Sequence, residues 1–192
     1  MRLLVTGAMG HVGLEVVRQA AGMGLAVVAQ YRERFDAAAA GTIGETVAWE
    51  RCALDDAAQV DALLARHGID ACIHCAAVSN EAYARPAPLA AVGANVGATA
   101  RLLEAARTQG WRRFILVSTG SVFQHRADVV RPILEDEVPV PGNVYSTTKR
   151  AAEMLVGMYR SEYGVSAAAV RISWVYGPPV LTDSPTRGPI PW

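Results

Sequence analysis

The amino-acid sequence predicts an α/β fold, a doubly wound parallel sheet with helices on both faces. Short apolar segments typical of buried strands alternate with longer amphipathic segments typical of helices. This alternation is the pattern of parallel strands joined by crossover helices. The first apolar segment also runs directly into three evenly spaced glycines, Gly7, Gly10 and Gly13, at the start of a helical pattern.

Length and charge narrow the functional classes. The chain has 192 residues, which is enough for one domain with a substantial core. Lys plus Arg and Asp plus Glu both count 18, so no basic field favours nucleic acid or an anionic membrane. We find no apolar run long enough to span a bilayer and no signal segment, and we expect a cytoplasmic protein with a small-molecule partner. Three cysteines in this setting predict reduced thiols.

The glycine turn is the first candidate binding element. Leu3–Val5 predicts a buried strand, and a helical pattern covers Val12–Met23. Glycines allow a backbone to approach a ligand closely, and a pyrophosphate can bind the free N–H groups at a helix N-terminus. The spacing G-x-x-G-x-x-G therefore indicates a dinucleotide site. The alternative is a glycine turn that only packs the helix on the strand.

A second strand is predicted at Ala26–Ala29, followed by Gln30, Tyr31 and Arg32. In a dinucleotide-binding sheet this position contacts the adenosine ribose, where an acid binds both hydroxyls and an arginine accommodates a 2′-phosphate. The strand closes without an acid, and Arg32 lies just beyond it. We therefore favour NADP over NAD, the alternative being that Arg32 is a solvated surface arginine.

The remaining segments continue the alternation. A small-residue connection is predicted at 37–44, and Asp56 with Gln59 has the form of a capping box at the start of a helix that ends near His67. The other predicted elements are strands at 46–50, 71–78, 114–117 and 167–172, a loop at 83–89, and helices at 92–109 and 145–163.

Cys72, His74 and Cys75 invite interpretation as a metal site, with Cys52 as a third thiolate. We reject it because residues 72 and 75 of a strand point to opposite faces and cannot chelate one ion. Buried free thiols explain these residues better.

A catalytic pair is predicted where Tyr145 and Lys149 lie one turn apart on a helix. A tyrosine titrates near pH 10, and a neighbouring cation can favour its phenolate. Thr119 follows the preceding strand and could hydrogen-bond the reacting oxygen. We therefore predict Thr119, Tyr145 and Lys149 as the catalytic residues, with no metal.

Six ordered motifs make the chain resemble the extended short-chain dehydrogenase/reductase family, the NAD(P)-dependent sugar epimerase and dehydratase group. The motifs are TGAMGHVG at 6–13, HCAA at 74–77, Asn95 with Thr99, STGSVF at 118–123, YSTTK at 145–149 and RISWVYGP at 171–178.

This resemblance implies a Rossmann-like fold and a set of cofactor contacts. Residues implied to hold the pyrophosphate or lie near the adenine are Gly7, Gly10, His11, Val12 and Leu54. Tyr31 and Arg32 join the predicted cofactor contacts because of their position after the second strand. Residues implied to line or support the rest of the dinucleotide are Cys75, Ala76, Ala77, Asn95, Tyr145, Lys149 and Ser173, the last near the carboxamide.

Several residues depart from the pattern of the family. Ala53 replaces a frequent adenine-binding Asp, and Trp174 replaces a frequent substrate-binding Asn. Gly120 and Ser121 stand where dehydratases and decarboxylases of this group carry acids, which disfavours both reactions. Oxidation, reduction and epimerisation remain.

We divide the chain into an NAD(P)-binding domain at 1–177 and a proline-rich tail at 178–192. The tail is expected to begin a substrate-binding region that is missing or truncated. The predicted function is an NAD(P)-dependent oxidoreductase or epimerase acting on a sugar-like hydroxyl or ketone. The alternative is a dinucleotide-binding module with little or no turnover.

The resemblance also suggests a homodimer formed by the helices at 92–109 and 145–163. Met154, Leu155, Met158 and Tyr159 would supply part of the contact surface. Alternatively, these residues only face the sheet.

Overall fold

A computed structural model describes residues 1–125 and 130–177. The strands are β1 (Arg2–Thr6), β2 (Ala26–Tyr31), β3 (Val47–Arg51), β4 (Ala71–His74), β5 (Arg113–Thr119) and β6 (Ala167–Ile172). The α-helices are α1 (His11–Gly22), α2 (Ala37–Gly41), α3 (Ala57–Arg66), α4 (Glu81–Ala84), α5 (Pro88–Val92), α6 (Ala98–Gln109) and α7 (Val144–Tyr163). A π-helical turn (Gly93–Gly97) joins α5 to α6, and a 3₁₀ turn (Gly120–Phe123) follows β5.

The six strands form one parallel sheet in the order β3-β2-β1-β4-β5-β6. From β1 to β3 the strands are added on one side of β1, and from β4 onward they are added on its other side. The position between β1 and β4 is therefore the topological switch point, where doubly wound sheets bind ligands. The predicted fold class is therefore confirmed. The carboxyl ends of β1 and β4 lie side by side, with Thr6 opposite His74.

Helices cover both faces of the sheet. On one face, Leu3, Val5 and Val27 pack with Val17 and Ala20 of α1. The other face is larger, and its buried residues come from the strands and from α3, α6 and α7. They include Leu4, Cys72, Phe114, Leu63, Leu102 and Val156. Alternate residues of each strand thus point to different cores, as a pleated strand requires.

Three predicted boundaries were wrong. The connection at 37–44 contains α2, because Asp36 caps Ala39 with its carboxylate and a run of alanines favours helix. The loop predicted at 83–89 contains the second half of α4 and the start of α5, where Pro88 occupies the first turn. Strand β4 ends at His74, four residues before the predicted end.

The helix predicted at 92–109 was correct in position but not in regularity. Its first turn continues α5, and residues Gly93–Gly97 form the π-helical turn before α6 begins at Ala98. Such turns accommodate one extra residue in a helix and occur frequently at functional sites. Here the turn carries the buried Asn95.

Within residues 1–125 and 130–177, no helix is both long and apolar enough to cross a bilayer. The tail predicted at 178–192 lies outside the described residues.

Candidate active site

The glycine turn packs directly against the end of β4. Gly7 has a φ of 63°, and a Cβ atom there would lie 2.7 Å from the Cα atom of Ala76. A Cβ atom on Gly13 would lie 2.1 Å from the carbonyl oxygen of Gly7. Both positions therefore require glycine. The turn does pack the helix on the strand. Because the same close packing requires glycine at positions 7 and 13, no side chain covers the backbone there.

The N-terminus of α1 differs from those of α3 and α7. Its N-cap, Gly10, provides no side-chain hydrogen bond, and its first turn contains no acid. By contrast, the carboxylate of Asp56 caps α3 and the amide of Asn143 caps α7. The uncapped positive end of α1 is what an anion such as a pyrophosphate requires. His11 and Val12, two predicted contacts, form its first turn.

Gln30 supports the glycine turn and was not predicted as a site residue. Its buried side-chain oxygen accepts a hydrogen bond from the Gly7 N–H at 2.9 Å, and its amide nitrogen donates to the Cys52 carbonyl. Its own carbonyl accepts from the N–H of Ala8 at 2.8 Å. A buried polar residue at the end of an apolar strand could have signalled this role, because such groups need partners.

Thr6 and His74 join the turn to β4. The Thr6 hydroxyl accepts a hydrogen bond from the Ala76 N–H at 3.2 Å and lies 2.6 Å from His74 Nδ1. We assign the Thr6 hydroxyl as the donor to His74 Nδ1. His74 is then a neutral ring that carries its proton on Nε2. Burial, aided by the charge of Lys149, lowers the pKa of His74 to about 3. Its Nε2 atom has no hydrogen-bond partner among the described residues.

Tyr145 and Thr119 meet at the carboxyl end of β5. Thr119 is the last residue of that strand, and Tyr145 lies in the first turn of α7. Their side chains lie close enough for Thr119 to influence the pKa of Tyr145. Asn143 and Ser146 form a reciprocal capping box that starts α7 at this point. The structure thus brings these two predicted residues close together.

Lys149 lies one turn further along α7 and is almost completely buried. Its ammonium group donates a hydrogen bond to the Val117 carbonyl at 2.7 Å. Burial lowers its pKa to about 8, although Cys75 and Glu153 nearby oppose this shift. A lysine that titrates so close to neutrality is unusual and is typical of functional sites.

The structure corrects one expectation about Tyr145. We predicted that Lys149 would lower its pKa, but burial raises the pKa of the hydroxyl, and the nearby Thr119 side chain opposes this rise only in part. The reason is geometric, since the Lys149 ammonium group is engaged with the Val117 carbonyl. In this arrangement Tyr145 holds its proton at neutral pH.

Other predicted residues surround this centre. Asn95 is buried and contacts the backbone N–H of Val78 at 2.7 Å through its side-chain oxygen. Ser173 directly follows β6, and its hydroxyl oxygen lies 3.1 Å from the position that a Cβ atom on Gly120 would occupy. Cys75, Ala76 and Ala77 continue the chain from β4 as half-buried residues.

The residues predicted to lie near the adenosine have separate environments, unlike those around Tyr145. Arg32 is 59% exposed and lies 3.4 Å from the carboxylate of Asp55 and 3.6 Å from that of Glu33. Leu54 is 9% exposed and belongs to the larger core. Tyr31 stacks at 5.0 Å on Phe35.

The cysteines are free thiols on different sides of the sheet. Cys72 belongs to the larger core, whereas Cys75 packs against the core under α1. Burial raises the pKa of Cys52 to about 11 and that of Cys75 to about 12. In the described part of the chain, no three acidic, histidine or cysteine side chains gather as a metal site would require.

The comparisons with known proteins agree with this geometry. The model of the NAD dependent epimerase/dehydratase family matches residues 3–189. A UDP-glucuronate 4-epimerase from Thermodesulfobacterium geofontis is 34% identical over 113 residues, which are 58% of this chain and 34% of that protein. A dTDP-glucose 4,6-dehydratase from Shigella flexneri is 27% identical over 201 residues, covering 93% of this chain and 55% of that protein.

A solved structure shows the same architecture. The UDP-glucose 4-epimerase of Thermus thermophilus in complex with NAD superposes with a TM-score of 0.85 at 26% identity. The match covers 93% of this chain and 57% of that chain. The chain thus spans from about a third to little more than half the length of these relatives.

Proposed function

This chain belongs to the NAD dependent epimerase/dehydratase family, and from that premise we propose that it binds a nicotinamide dinucleotide and acts on a sugar-like substrate. The proposed reaction is oxidation, reduction or epimerisation at a hydroxyl or ketone of a sugar, sugar nucleotide or sugar derivative. The three relatives described above are named for nucleotide-linked sugars, which supports this substrate class.

One observation carries the proposal. The side chains of Thr119 and Tyr145 lie close enough to interact at the edge of the sheet where the glycine turn also lies. Lys149 is buried one helical turn away. A proton-transfer group, an oxygen-orienting group and an anion-binding helix end therefore occupy the same edge, as dehydrogenase chemistry requires.

The fit of the cofactor rests on the backbone. Gly7 and Gly13 leave no room for side chains, and the N-terminus of α1 has no side-chain cap from Gly10. We assign the pyrophosphate to Gly7, Gly10, His11 and Val12, and the nicotinamide end to Asn95, Lys149 and Ser173. When bound, the nicotinamide supplies the hydride acceptor or donor.

The residues of the chain then handle the proton. During reduction, Tyr145 donates its hydroxyl proton to the substrate oxygen, which suits a tyrosine whose pKa is raised by burial. During oxidation the phenolate form of the same residue would accept the proton of the substrate hydroxyl. Thr119 orients that oxygen, and Lys149 would favour the phenolate only after its ammonium group leaves the Val117 carbonyl.

The alternative predicted from the sequence is a dinucleotide-binding module with little or no turnover, which would use the same glycine turn. The comparisons support it no better than an enzyme, because the relatives described above are named as epimerases and a dehydratase.

Tyr145→Phe tests the assignment of the proton-transfer residue. We expect the dissociation constants of NADH and NADPH, measured by calorimetry, to change less than about threefold. Turnover of a panel of sugars and sugar nucleotides, followed by cofactor absorbance, should fall at least about a hundredfold because general acid–base catalysis contributes that much.

Tyr163→Phe, a change of an exposed tyrosine on the same helix, is the matched control. Equal turnover in the Tyr145 variant would reject the catalytic role. Failure of the unmutated chain to bind either cofactor would reject the dinucleotide site itself.

We also propose NADP as the favoured cofactor and a homodimer as the assembly. The first rests on Arg32 and on the absence of an acid at the end of β2, where Tyr31 is the last residue. The second rests on Met154 and Met158 of α7, which are 62% and 40% exposed. Both are tested below.

A further inference from the structure

Hydrogen bonds to side chains restrain both the backbone N–H and the backbone carbonyl of Tyr145. The N–H is bonded to a residue outside α7, and the carbonyl is bonded to a residue of α7 that in turn contacts another segment. Its N–H group belongs to the first helical turn, where no carbonyl of the same helix is available. The carboxylate of Glu81 accepts this N–H at 3.0 Å, across a separation of 64 residues. Glu81 is the first residue of α4 and lies in the connection that leaves β4.

The carbonyl of Tyr145 is reached from the other end of that connection. The Thr148 hydroxyl donates to this carbonyl at 2.8 Å and accepts from the side-chain nitrogen of Asn95 at 2.9 Å. Asn95 in turn contacts both the N–H and the carbonyl of Val78. The segment from Val78 to Asn95 therefore fastens Tyr145 at two points.

We propose that Glu81 is a positioning residue for Tyr145, fixing its backbone so that its hydroxyl meets Thr119; this rests on the proposed function. The first turn of a helix opens more readily than its middle, and Tyr145 lies in that turn. A carboxylate at a helix N-terminus is also favoured by the helix dipole. Glu81 thus restrains the part of α7 where a small displacement would separate the two hydroxyls.

Glu81 is itself well anchored. The side chain of Asn80 caps α4 by accepting the Tyr83 N–H at 3.2 Å, and Ala84 at the end of this short helix is fully buried. The contact with Tyr145 is therefore made from a fixed element. Thr148 has the matching role at the carbonyl side.

The test compares Glu81→Ala, Glu81→Gln and the exposed-acid control Glu45→Ala in the full chain. Amide hydrogen exchange, measured by NMR, reports the opening of Tyr145 directly. In Glu81→Ala we expect the Tyr145 amide to exchange at least about tenfold faster, while the Val156 amide in the middle of α7 stays unchanged. Glu81→Gln keeps an acceptor oxygen and should stay within about threefold of the unmutated chain.

Steady-state turnover is the second readout. We expect kcat to fall about tenfold in Glu81→Ala with little change in the KM of the dinucleotide, because misplacement of a catalytic group affects the chemical step. If the unmutated chain shows no turnover, the proposed function fails while the exchange data still decide the role of Glu81. If Glu81→Ala is too unstable to measure, Glu81→Gln and Thr148→Val provide the comparison.

Two exchange results would overturn the inference. Unchanged exchange at Tyr145 in Glu81→Ala would show that the contact restrains nothing. Equal acceleration along all of α7 would show that Glu81 stabilises the helix generally.

Discussion

At the scale of single residues, the proposed preference for NADP depends on Arg32. Its guanidinium group is exposed but lies 3.4 Å from the carboxylate of Asp55, so an incoming phosphate must compete with an existing ion pair. Exposed ion pairs are weak, whereas a charge-assisted hydrogen bond to phosphate is stronger. We therefore expect a preference for NADPH that is modest.

The predicted preference is about three- to tenfold in dissociation constant, measured by cofactor fluorescence. Arg32→Ala should remove it, and Asp55→Asn should increase it because the competing carboxylate is lost. Arg34→Ala, which changes a second exposed arginine nearby, is the control. Tighter binding of NADH by the unmutated chain would show that Arg32 does not select the cofactor.

The lowered pKa of His74 leads to a prediction of how the stability of the chain depends on pH. Its pKa of about 3 in the folded chain lies below the value of about 6.5 expected in the unfolded chain. The unfolded state therefore binds a proton that the folded state does not, and stability falls as the pH drops below about 6.5. Above that pH the contribution is constant.

We expect the free energy of unfolding to fall by about 2 kcal/mol between pH 6.5 and 5, a range above the pKa of most carboxyl groups. Urea denaturation at each pH measures this slope. His74→Leu should flatten it, although the variant is less stable at neutral pH because Thr6 loses a partner. His125→Gln, at an exposed histidine, should leave the slope unchanged. A steep slope in His74→Leu would assign the effect to other groups.

At the scale of secondary-structure elements, Glu153 joins three of them. This buried residue of α7 accepts hydrogen bonds from Ser118 of β5 at 2.6 Å and from Arg171 of β6 at 2.9 and 3.0 Å. Burial raises the pKa of its carboxyl, but these hydrogen bonds outweigh burial and hold the pKa below its usual range. The cluster includes Ser118, the residue before Thr119, and it fixes α7 against the sheet.

Arg171→Met should be strongly destabilising, by about 3 kcal/mol in urea denaturation, because it leaves the Glu153 carboxylate buried without its main partner. Adding Glu153→Met should recover part of this loss, since an apolar pair of similar volume is often tolerated. Arg18→Met breaks an exposed ion pair and should have little effect. Strict additivity of the two core substitutions would show that the residues do not act as a pair.

The strands and long helices could be predicted from the sequence because their apolar periodicity reflects burial, which also determines the structure. The glycine turn, the Asp56 cap and the Tyr145–Lys149 spacing could be predicted for the same local reason. The contacts of Gln30 with Gly7 and of Glu81 with Tyr145 could not, since they join residues 23 and 64 positions apart. The raised pKa of Tyr145 could not be predicted either, because it depends on where Lys149 donates its hydrogen bond.

At the scale of the whole molecule, α7 presents apolar side chains in two directions. Leu155 and Tyr159 pack against the larger core, whereas Met154 and Met158 are exposed. Facing the sheet therefore accounts for only half of the four residues predicted at a dimer surface. The exposed pair supports a contact with a second copy across a two-fold axis.

Light scattering at high micromolar concentration should give twice the monomer mass. Replacing Met154 and Met158 together by glutamate should yield monomers, because charges at the centre of a contact disfavour association. The same double replacement at Met1 and Met23, two exposed methionines outside α7, is the control. A monomer mass for the unmutated chain at that concentration would remove the dimer.

The strand order has a consequence for how the site is assembled over time. Strand β1 is paired with β2 on one side and with β4 on the other, so the β1–β4 ladder joins residues 1–51 to the rest of the sheet. The glycine turn belongs to the first part, and Thr119 and Tyr145 belong to the second. The proposed site is therefore shared between two parts of the sheet that meet at the β1–β4 ladder. Opening of that one ladder would separate the glycine turn from Thr119 and Tyr145, while each part kept its own strand pairs. A chain emerging during synthesis cannot present a complete site until Leu3 to Thr6 has paired with Ala71 to His74.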